Sequence, residues 1–260
     1  MKIPIYQVDA FADKPFTGNP AAVCPLNEWP EDIILQNIAA ENNLSETAFF
    51  VKSGDEFQLR WFTPVLEIDL CGHATLASAH VLFNHLGYDS ETIHFNSLSG
   101  ILKVTREGSL LSLDFPSWEP VTIEPPKELI LGLGSTPQSV LKTRDYLAVF
   151  ETESEIRNLD PDFHLLSTMD VLGIIATAPG DSFDFVSRFF APNAGVNEDP
   201  VTGSAHASLT PYWSKTLNKL KLSARQISAR GGNLQCEQKG DRVIIAGKAV
   251  TYMQGELTPL

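Results

Sequence analysis

Three short stretches of the sequence carry side chains that could move protons. Glu46 stands just before an apolar run, Ala48-Phe49-Phe50-Val51, which predicts a strand. A carboxylate that such a strand partly buries becomes a stronger base near neutral pH. The more frequent alternative is a glutamate at a strand end in solvent. Glu46 is therefore a candidate acid/base.

The second stretch is Cys71-Gly72-His73, which directly precedes a strongly apolar run over residues 74–86. This run predicts a helix. The first N–H groups of a helix lack intrahelical partners and lie at its positive end. Gly72 therefore offers backbone donors to an anion, and His73 can donate to a ligand or accept from it. The alternative is a histidine that merely bonds a nearby carbonyl.

The third stretch, Asp199-Pro200-Val201-Thr202-Gly203-Ser204, repeats this arrangement before a second predicted helix, residues 204–218. Ser204 follows Gly203 as His73 follows Gly72. Polar side chains at two equivalent helix starts fit two groups that converge on one ligand. The alternative for Asp199 is an Asx-turn residue before proline.

The two glycine junctions belong to a longer repeat. Arg60-Trp61-Phe62-Thr63-Pro64 and Arg188-Phe189-Phe190-Ala191-Pro192 share a pattern at an offset of 128 (188 − 60), and the two glycines have an offset of 131 (203 − 72). A nearly constant offset close to half the chain length indicates an internal duplication. We therefore predict a cleft between two similar halves, with a small carboxylate ligand between them.

The order of predicted elements indicates an α+β fold. We predict two pseudo-symmetric halves, each a mostly antiparallel β-barrel around a central α-helix. The first half covers residues 1–115, and residues 116–126, with four prolines, form a linker. The second half covers residues 127–260, with a terminal strand near residues 248–254 that crosses back to close one of the halves.

Composition narrows the class of protein. A net charge of −13 over 260 residues disfavours nucleic acid and anionic membranes as partners. The apolar runs are too short for a membrane span. Three widely spaced cysteines without a CxxC pair predict a reducing, cytoplasmic location. No nucleotide-binding or metal-ligand spacing is present, so we expect neither a cofactor nor a metal.

Three motifs resemble the signatures of the PhzF-type phenazine-biosynthesis isomerase family. They are Asn-Leu-Ser-Glu-Thr at 43–47, Cys-Gly-His-Ala-Thr at 71–75 and Glu-Asp-Pro-Val-Thr-Gly-Ser-Ala at 198–205. The N-terminal Gly18-Asn19-Pro20-Ala21-Ala22-Val23 is similar as well, so the resemblance spans nearly the whole chain. It implies the diaminopimelate-epimerase-like fold, a homodimer, and isomerisation of a small carboxylate-bearing substrate without a cofactor.

The resemblance also implies a role for each matching position. Glu46 would be the acid/base that shuttles a proton. The positions that would bind and polarise the substrate, by side chain or backbone N–H, are Gly72, His73, Asp199, Gly203 and Ser204.

Two alternatives stay open. Related epimerases and racemases use two cysteines, one at each helix start. Cys71 fills the first of these positions, as a thiol of lowered pKa or as a buried structural cysteine, but Thr202 fills the second and is a poor base. A two-thiol racemase is therefore disfavoured, and both residues are accessory candidates. The other alternative is a binding or interaction protein that has kept the fold.

Overall fold

The computed structural model describes residues 2–258, which form two compact units. The first unit contains the chain up to Asp114 and again from Ala246 onward, and the second runs from Phe115 to Ile245. The sequence-based division has a linker at residues 116–126 and a terminal strand of the second half that crosses back. The C-terminal residues belong to the first unit because the last strand pairs with the first strand. Residues 116–126, predicted as a linker, include a paired strand.

The chain alternates strands with a few helices. The strands are β1 (Ile3–Ala10), β2 (Asn19–Leu26), β3 (Glu46–Ser53), β4 (Glu56–Phe62), β5 (Glu67–Ile68), β6 (Thr92–Ser97), β7 (Gly100–Glu107), β8 (Leu110–Pro116), β9 (Val121–Ile123), β10 (Ser139–Lys142), β11 (Tyr146–Val149), β12 (Ile174–Pro179), β13 (Phe185–Ala191), β14 (Val196–Asp199), β15 (Lys221–Gln226), β16 (Gly232–Lys239), β17 (Arg242–Gly247) and β18 (Ala249–Leu257). The helices are α1 (Asp32–Asn42), α2 (Gly72–Asn84), α3 (Lys127–Leu133), α4 (Glu153–Asn158), α5 (Phe163–Leu166) and α6 (His206–Leu217).

Strand pairing follows the same order in both units. In the first unit, β1–β2, β3–β4 and β6–β7 are antiparallel, and β2–β3 and β4–β6 are parallel. In the second unit, β10–β11, β12–β13 and β15–β16 are antiparallel, and β11–β12 and β13–β15 are parallel. This mixture of strands and helices has the predicted α+β class. Closure of each strand set into a barrel stays a prediction.

Helix α2 is the buried helix of the first unit. From Gly72 to Phe83 every residue except His80 is buried. A helix that is apolar on all sides has to be enclosed, and α2 contacts β1, β2 and β3. Within residues 2–258 no helix is long and apolar enough to cross a membrane.

Helix α6 has the corresponding position in the element order of the second unit but begins later than predicted, at His206. The turn before it is tighter than an α-helix, since the N–H of His206 donates to the carbonyl of Gly203 at 3.0 Å. Pro211 lies inside α6 and cannot donate to the carbonyl of Ala207. That carbonyl instead accepts the N–H of Trp118 at 3.0 Å, so the helix continues with its polar groups paired.

Candidate active site

Glu46 is the first residue of β3, directly after the turn that ends α1. Asn43 closes α1 in the left-handed conformation (φ 48°), and its N–H donates to the carbonyl of Ala39 at 3.2 Å. β3 then runs between β2 and β4, and residues 48–51 are buried. Only 15% of the Glu46 side chain is exposed. The solvent-exposed alternative is therefore wrong, because a central strand holds this carboxylate partly buried.

His73 lies between Glu46 and Cys71, with a different ring nitrogen facing each. Its Nε2 is 3.0 Å from Glu46 Oε2, and its Nδ1 is 3.5 Å from Cys71 Sγ. The imidazole is not aligned on the carboxylate oxygen, and neither Nε2 nor Oε2 makes a hydrogen bond within the described residues. His73 and Cys71 are almost fully buried. A carboxylate, an imidazole and a thiol thus share one buried spot in the first unit.

The protonation states of this cluster follow from burial and charge. Burial raises the pKa of the Cys71 thiol, and the negative charge of Glu46 raises it further. Of the two alternatives for Cys71, the thiol of lowered pKa is therefore wrong, and the buried thiol stays protonated at neutral pH. Burial lowers the pKa of His73, but negative charge at Cys71 and Glu46 raises it, and the net pKa lies well above the ordinary value. The Glu46 carboxylate, 3.0 Å from Nε2, is one of the groups that favour a proton on His73.

Asn19 is a fourth member of this cluster, which the sequence did not single out as a site residue. Its Nδ2 is 3.1 Å from His73 Nδ1, and the residue is fully buried. The preceding Gly18 has a φ of 69°, and a Cβ there would lie 2.1 Å from the carbonyl oxygen of Ala10. Only glycine fits this turn, which brings Asn19 to the imidazole. The turn signal at residues 18–20 could have pointed to it.

In the second unit, Gln226 joins the two ends of the predicted Asp199–Thr202 stretch. The Thr202 hydroxyl donates to Asp199 Oδ2 at 2.5 Å. The Thr202 N–H donates to Gln226 Oε1 at 2.8 Å, and Gln226 Nε2 donates to the Asp199 carbonyl at 2.7 Å. Gln226 is fully buried at the end of β15. Sequence reasoning missed it, because no motif marks a buried amide at a strand end.

We expect Gln226→Leu to lower the free energy of unfolding by about 2–4 kcal/mol, because it leaves a buried N–H and a carbonyl without partners. Denaturant unfolding monitored by circular dichroism measures this loss. Gln235→Leu, at an exposed position on the neighbouring β16, is the matched control and should change stability by less than about 0.5 kcal/mol. Equal effects of the two substitutions would contradict the role of Gln226.

His206, at the start of α6, makes the free energy of unfolding depend on pH. It is fully buried, and its Nδ1 donates to the Thr202 carbonyl at 2.9 Å. Burial lowers its pKa from 6.5 to about 4. Between these values the unfolded chain binds a proton that the folded chain does not, so the free energy of unfolding falls as the pH drops from about 6.5 towards 4. A shift of this size corresponds to on the order of 3 kcal/mol.

We expect the gap in stability between wild type and His206→Asn to narrow as the pH is lowered from 7 to 4. Thermal unfolding at several pH values measures it. Burial and the nearby His85 lower the pKa of His80 to about 4, so His80 also lowers stability as the pH falls. Burial raises the pKa of Asp145 to about 6, which has the opposite effect on stability. Both remain in the variant, so the difference isolates His206, and a pH-independent gap would contradict the assignment.

Two arginines hold the loops that lead to the glycine junctions. Arg60 donates from Nε and Nη2 to the two carboxylate oxygens of Glu67, at 2.7 Å each. Arg188 donates to both oxygens of Glu198 at 2.7 and 2.9 Å, one residue before Asp199. Such two-point contacts fix direction as well as distance. Each unit therefore has the same two-point arginine–glutamate contact before the helix that follows its glycine junction.

The remaining predicted residues lie at the two helix starts. Gly72 is the first residue of α2 and is buried. Gly203 is buried and Ser204 is partly exposed in the turn before α6. In the first unit the structure thus brings Glu46 and His73 into contact beside Gly72.

A cavity of 830 Å³ in the first unit lies elsewhere, at the C-terminal end of α2. Its walls include Leu82, Leu86, Tyr88 and Lys52. It shares no residue with the Glu46 cluster and contains none of the predicted site residues. The candidate active site therefore rests on side-chain contacts and not on cavity size.

Comparison with known proteins shows the family of this chain. A family model described as phenazine biosynthesis-like protein matches residues 8–255. The chain belongs to this family. An uncharacterized isomerase of Pseudomonas aeruginosa is 54% identical over 257 residues, which cover 99% of both chains. An uncharacterized isomerase of Halalkalibacterium halodurans is 49% identical over 263 residues, again covering 99% of both.

Solved structures extend the comparison. A PhzF-family phenazine biosynthesis protein from Enterococcus faecalis is 52% identical, with a TM-score of 0.97 over 99% of this chain and 100% of that one. The resemblance to the PhzF family is thereby confirmed. A hydroxyproline epimerase from Agrobacterium vitis has a TM-score of 0.67 at 9% identity, over 98% of this chain and 92% of that one. This second likeness concerns the fold alone.

Proposed function

We propose that this isomerase moves a carbon-bound proton within a small carboxylate-bearing metabolite, with Glu46 as the acid/base. Membership of the phenazine biosynthesis-like family and its isomerase relatives supports the reaction class. The observation that carries the assignment of Glu46 is its partly buried carboxylate, with Oε2 3.0 Å from His73 Nε2.

In the proposed reaction, the Glu46 carboxylate removes a proton from an activated carbon. The C–H bond breaks, an O–H bond forms on Glu46, and the electron pair moves into the conjugated system of the substrate. The same carboxyl group then delivers the proton to another carbon of that system, and the double bond shifts. Substrate and product have the same composition, so this proton transfer by itself consumes no co-reactant.

His73 stabilises the charge that develops during this transfer. Its raised pKa keeps a proton available beside Glu46 and the substrate, and a fixed donor in a site of low exposure interacts strongly with negative charge. Hydrogen bonds at such sites are often poorly aligned without ligand and tighten in the complex. We assign His73 to binding and polarisation of the substrate, not to removal of the proton.

The substrate carboxylate would be bound by backbone N–H groups at the helix starts. Gly72 opens α2, where unpaired N–H groups and the helix dipole favour an anion. We propose that Gly203, Ser204 and Asp199 of the second unit also bind the substrate. The bond from the Thr202 hydroxyl to Asp199 holds that carboxylate in one orientation.

The epimerase alternative is weaker on chemical grounds. The buried Cys71 thiol is protonated, because its pKa is raised, and the Thr202 hydroxyl donates to Asp199. Neither group is therefore ready to act as a base.

We also propose that the protein is a homodimer and lies in the cytoplasm. For a homodimer, light scattering of the purified chain should give twice the 28.6 kDa chain mass.

Incubation of a panel of unsaturated carboxylates in heavy water tests the proposal. We expect wild type to convert one class of these substrates to an isomer, which nuclear magnetic resonance detects. Glu46→Gln should bind the same substrate without converting it. Conversion that survives Glu46→Gln but disappears in Cys71→Ser would favour a thiol-dependent epimerase. Absence of any conversion, together with tight binding to another protein, would favour the interaction protein.

A further inference from the structure

The buried cluster of the first unit contains three types of metal ligand. One donor atom each from Glu46, Cys71 and His73 lies within 4.8 Å of the other two. The residues come from the start of β3 and the start of α2, so no metal-ligand spacing is visible in the sequence. A thiolate sulfur, an imidazole nitrogen and a carboxylate oxygen are the donor atoms that zinc prefers.

Two of the three donor atoms already have the separation that zinc requires. Cys71 Sγ and His73 Nδ1 are 3.5 Å apart. Ligands at ordinary Zn–S and Zn–N bond lengths in a tetrahedron are separated by about 3.5 Å. The Asn19 amide nitrogen, 3.1 Å from the same Nδ1, would have to withdraw from it.

Glu46 supplies the third ligand by turning its side chain. Its Oε2 makes no hydrogen bond within the described residues and faces the imidazole from the Nε2 side. One donor atom of Glu46 lies within 4.8 Å of the other two, and rotation about its three side-chain torsions can bring it to an ion beside Sγ and Nδ1. The Glu46 side chain keeps some exposure, which gives the ion a route from solvent.

We propose that Glu46, Cys71 and His73 bind a zinc ion that inhibits the isomerase by occupying Glu46. The inhibition rests on the proposed function, whereas the binding does not. The Cys71 S–H bond and the His73 Nδ1–H bond break as the Zn–S and Zn–N bonds form, and both protons leave to solvent. One thiolate and one carboxylate then balance the charge of the ion, and a fourth position stays open to water or to a substrate carboxylate.

Cobalt(II) is the probe for this site, because it takes zinc ligand sets and a bound thiolate gives a charge-transfer band in the near ultraviolet. We expect this band when cobalt is added to wild type, and its loss when zinc is added in excess. Cys71→Ala should abolish the band. Cys24→Ala removes a buried cysteine from the apolar core of the same unit and should keep it. Circular dichroism checks that both variants are folded.

No band in wild type, or an equal band in Cys71→Ala, would overturn the zinc site. The functional arm is separate: zinc should inhibit proton transfer in wild type and Cys24→Ala. The zinc concentration for half-inhibition should rise at least about tenfold in Cys71→Ala, since even outer partners of metal ligands contribute 10–100-fold in affinity. A cobalt band without any isomerase activity would contradict the proposed function alone, and activity without a band would contradict zinc binding alone.

Discussion

Glu46→Gln is expected to lower kcat by about 10²–10⁴-fold, the range that a positioned acid/base contributes. Glutamine has nearly the same shape as glutamate but cannot take a proton from carbon. KM should change little, since the backbone N–H groups at the helix starts still bind the substrate. Steady-state kinetics with the substrate identified by the heavy-water incubation measures kcat and KM.

Glu56→Gln is the matched control for this prediction. Glu56 begins the adjacent strand β4 and pairs in register with Ser53 at the far end of β3, so its neutralisation should leave kcat unchanged. A similar loss in both variants would show that net charge, and not the position of Glu46, controls the rate. Unfolding midpoints of the two variants separate loss of activity from loss of structure.

Arg188→Met is expected to lower the free energy of unfolding. Arg188 bonds both oxygens of Glu198 and also donates to the carbonyls of Ile156 and Leu159, at 3.2 and 2.7 Å. Removal of one partner leaves a partly buried carboxylate without compensation. We expect a loss of about 2–3 kcal/mol, less than the about 3–5 kcal/mol of a fully buried pair, because both side chains keep some exposure. Denaturant unfolding measures it.

Arg188→Lys distinguishes geometry from charge. Lysine keeps the positive charge but cannot form the two-point contact, so its stability should lie between wild type and Arg188→Met. Arg60→Met is the corresponding change in the first unit, where Arg60 contacts Glu67 and Asp32. If Arg188→Met lost less than about 0.5 kcal/mol, the contact would be an ordinary surface ion pair.

Much of the fold could be predicted from hydrophobic periodicity and turn residues. The apolar run Ala48-Phe49-Phe50-Val51 predicted β3, in which these four residues are buried. The apolar run after Gly72 predicted α2 as an enclosed helix. In contrast, helix α3 was missed although Pro126 precedes it and Gly134 closes it with a φ of 66°. These are ordinary helix boundaries, and the short apolar run between them did not stand out.

Part of the candidate site could be predicted from the sequence. The motifs pointed to Glu46 and His73, and these two residues are in contact. Motifs could not show that Cys71 has a raised pKa, because burial outweighs the effect of the helix start. Nor could they show the contacts of Asn19 and Gln226, which join residues 54 and 24 positions apart in the chain. Such long-range contacts depend on strand order, which spacing within a motif does not determine.

Hydrogen tracking tests the central claim most directly. A substrate carrying deuterium at the reacting carbon is converted in ordinary water by wild type and by Glu46→Gln, and mass spectrometry locates the label in the product. If Glu46 carries the proton, wild type should convert the deuterated substrate more slowly than the ordinary one and place part of the label on the second carbon, and Glu46→Gln should form almost no product. Label transfer at the wild-type rate in Glu46→Gln would show that another group moves the proton.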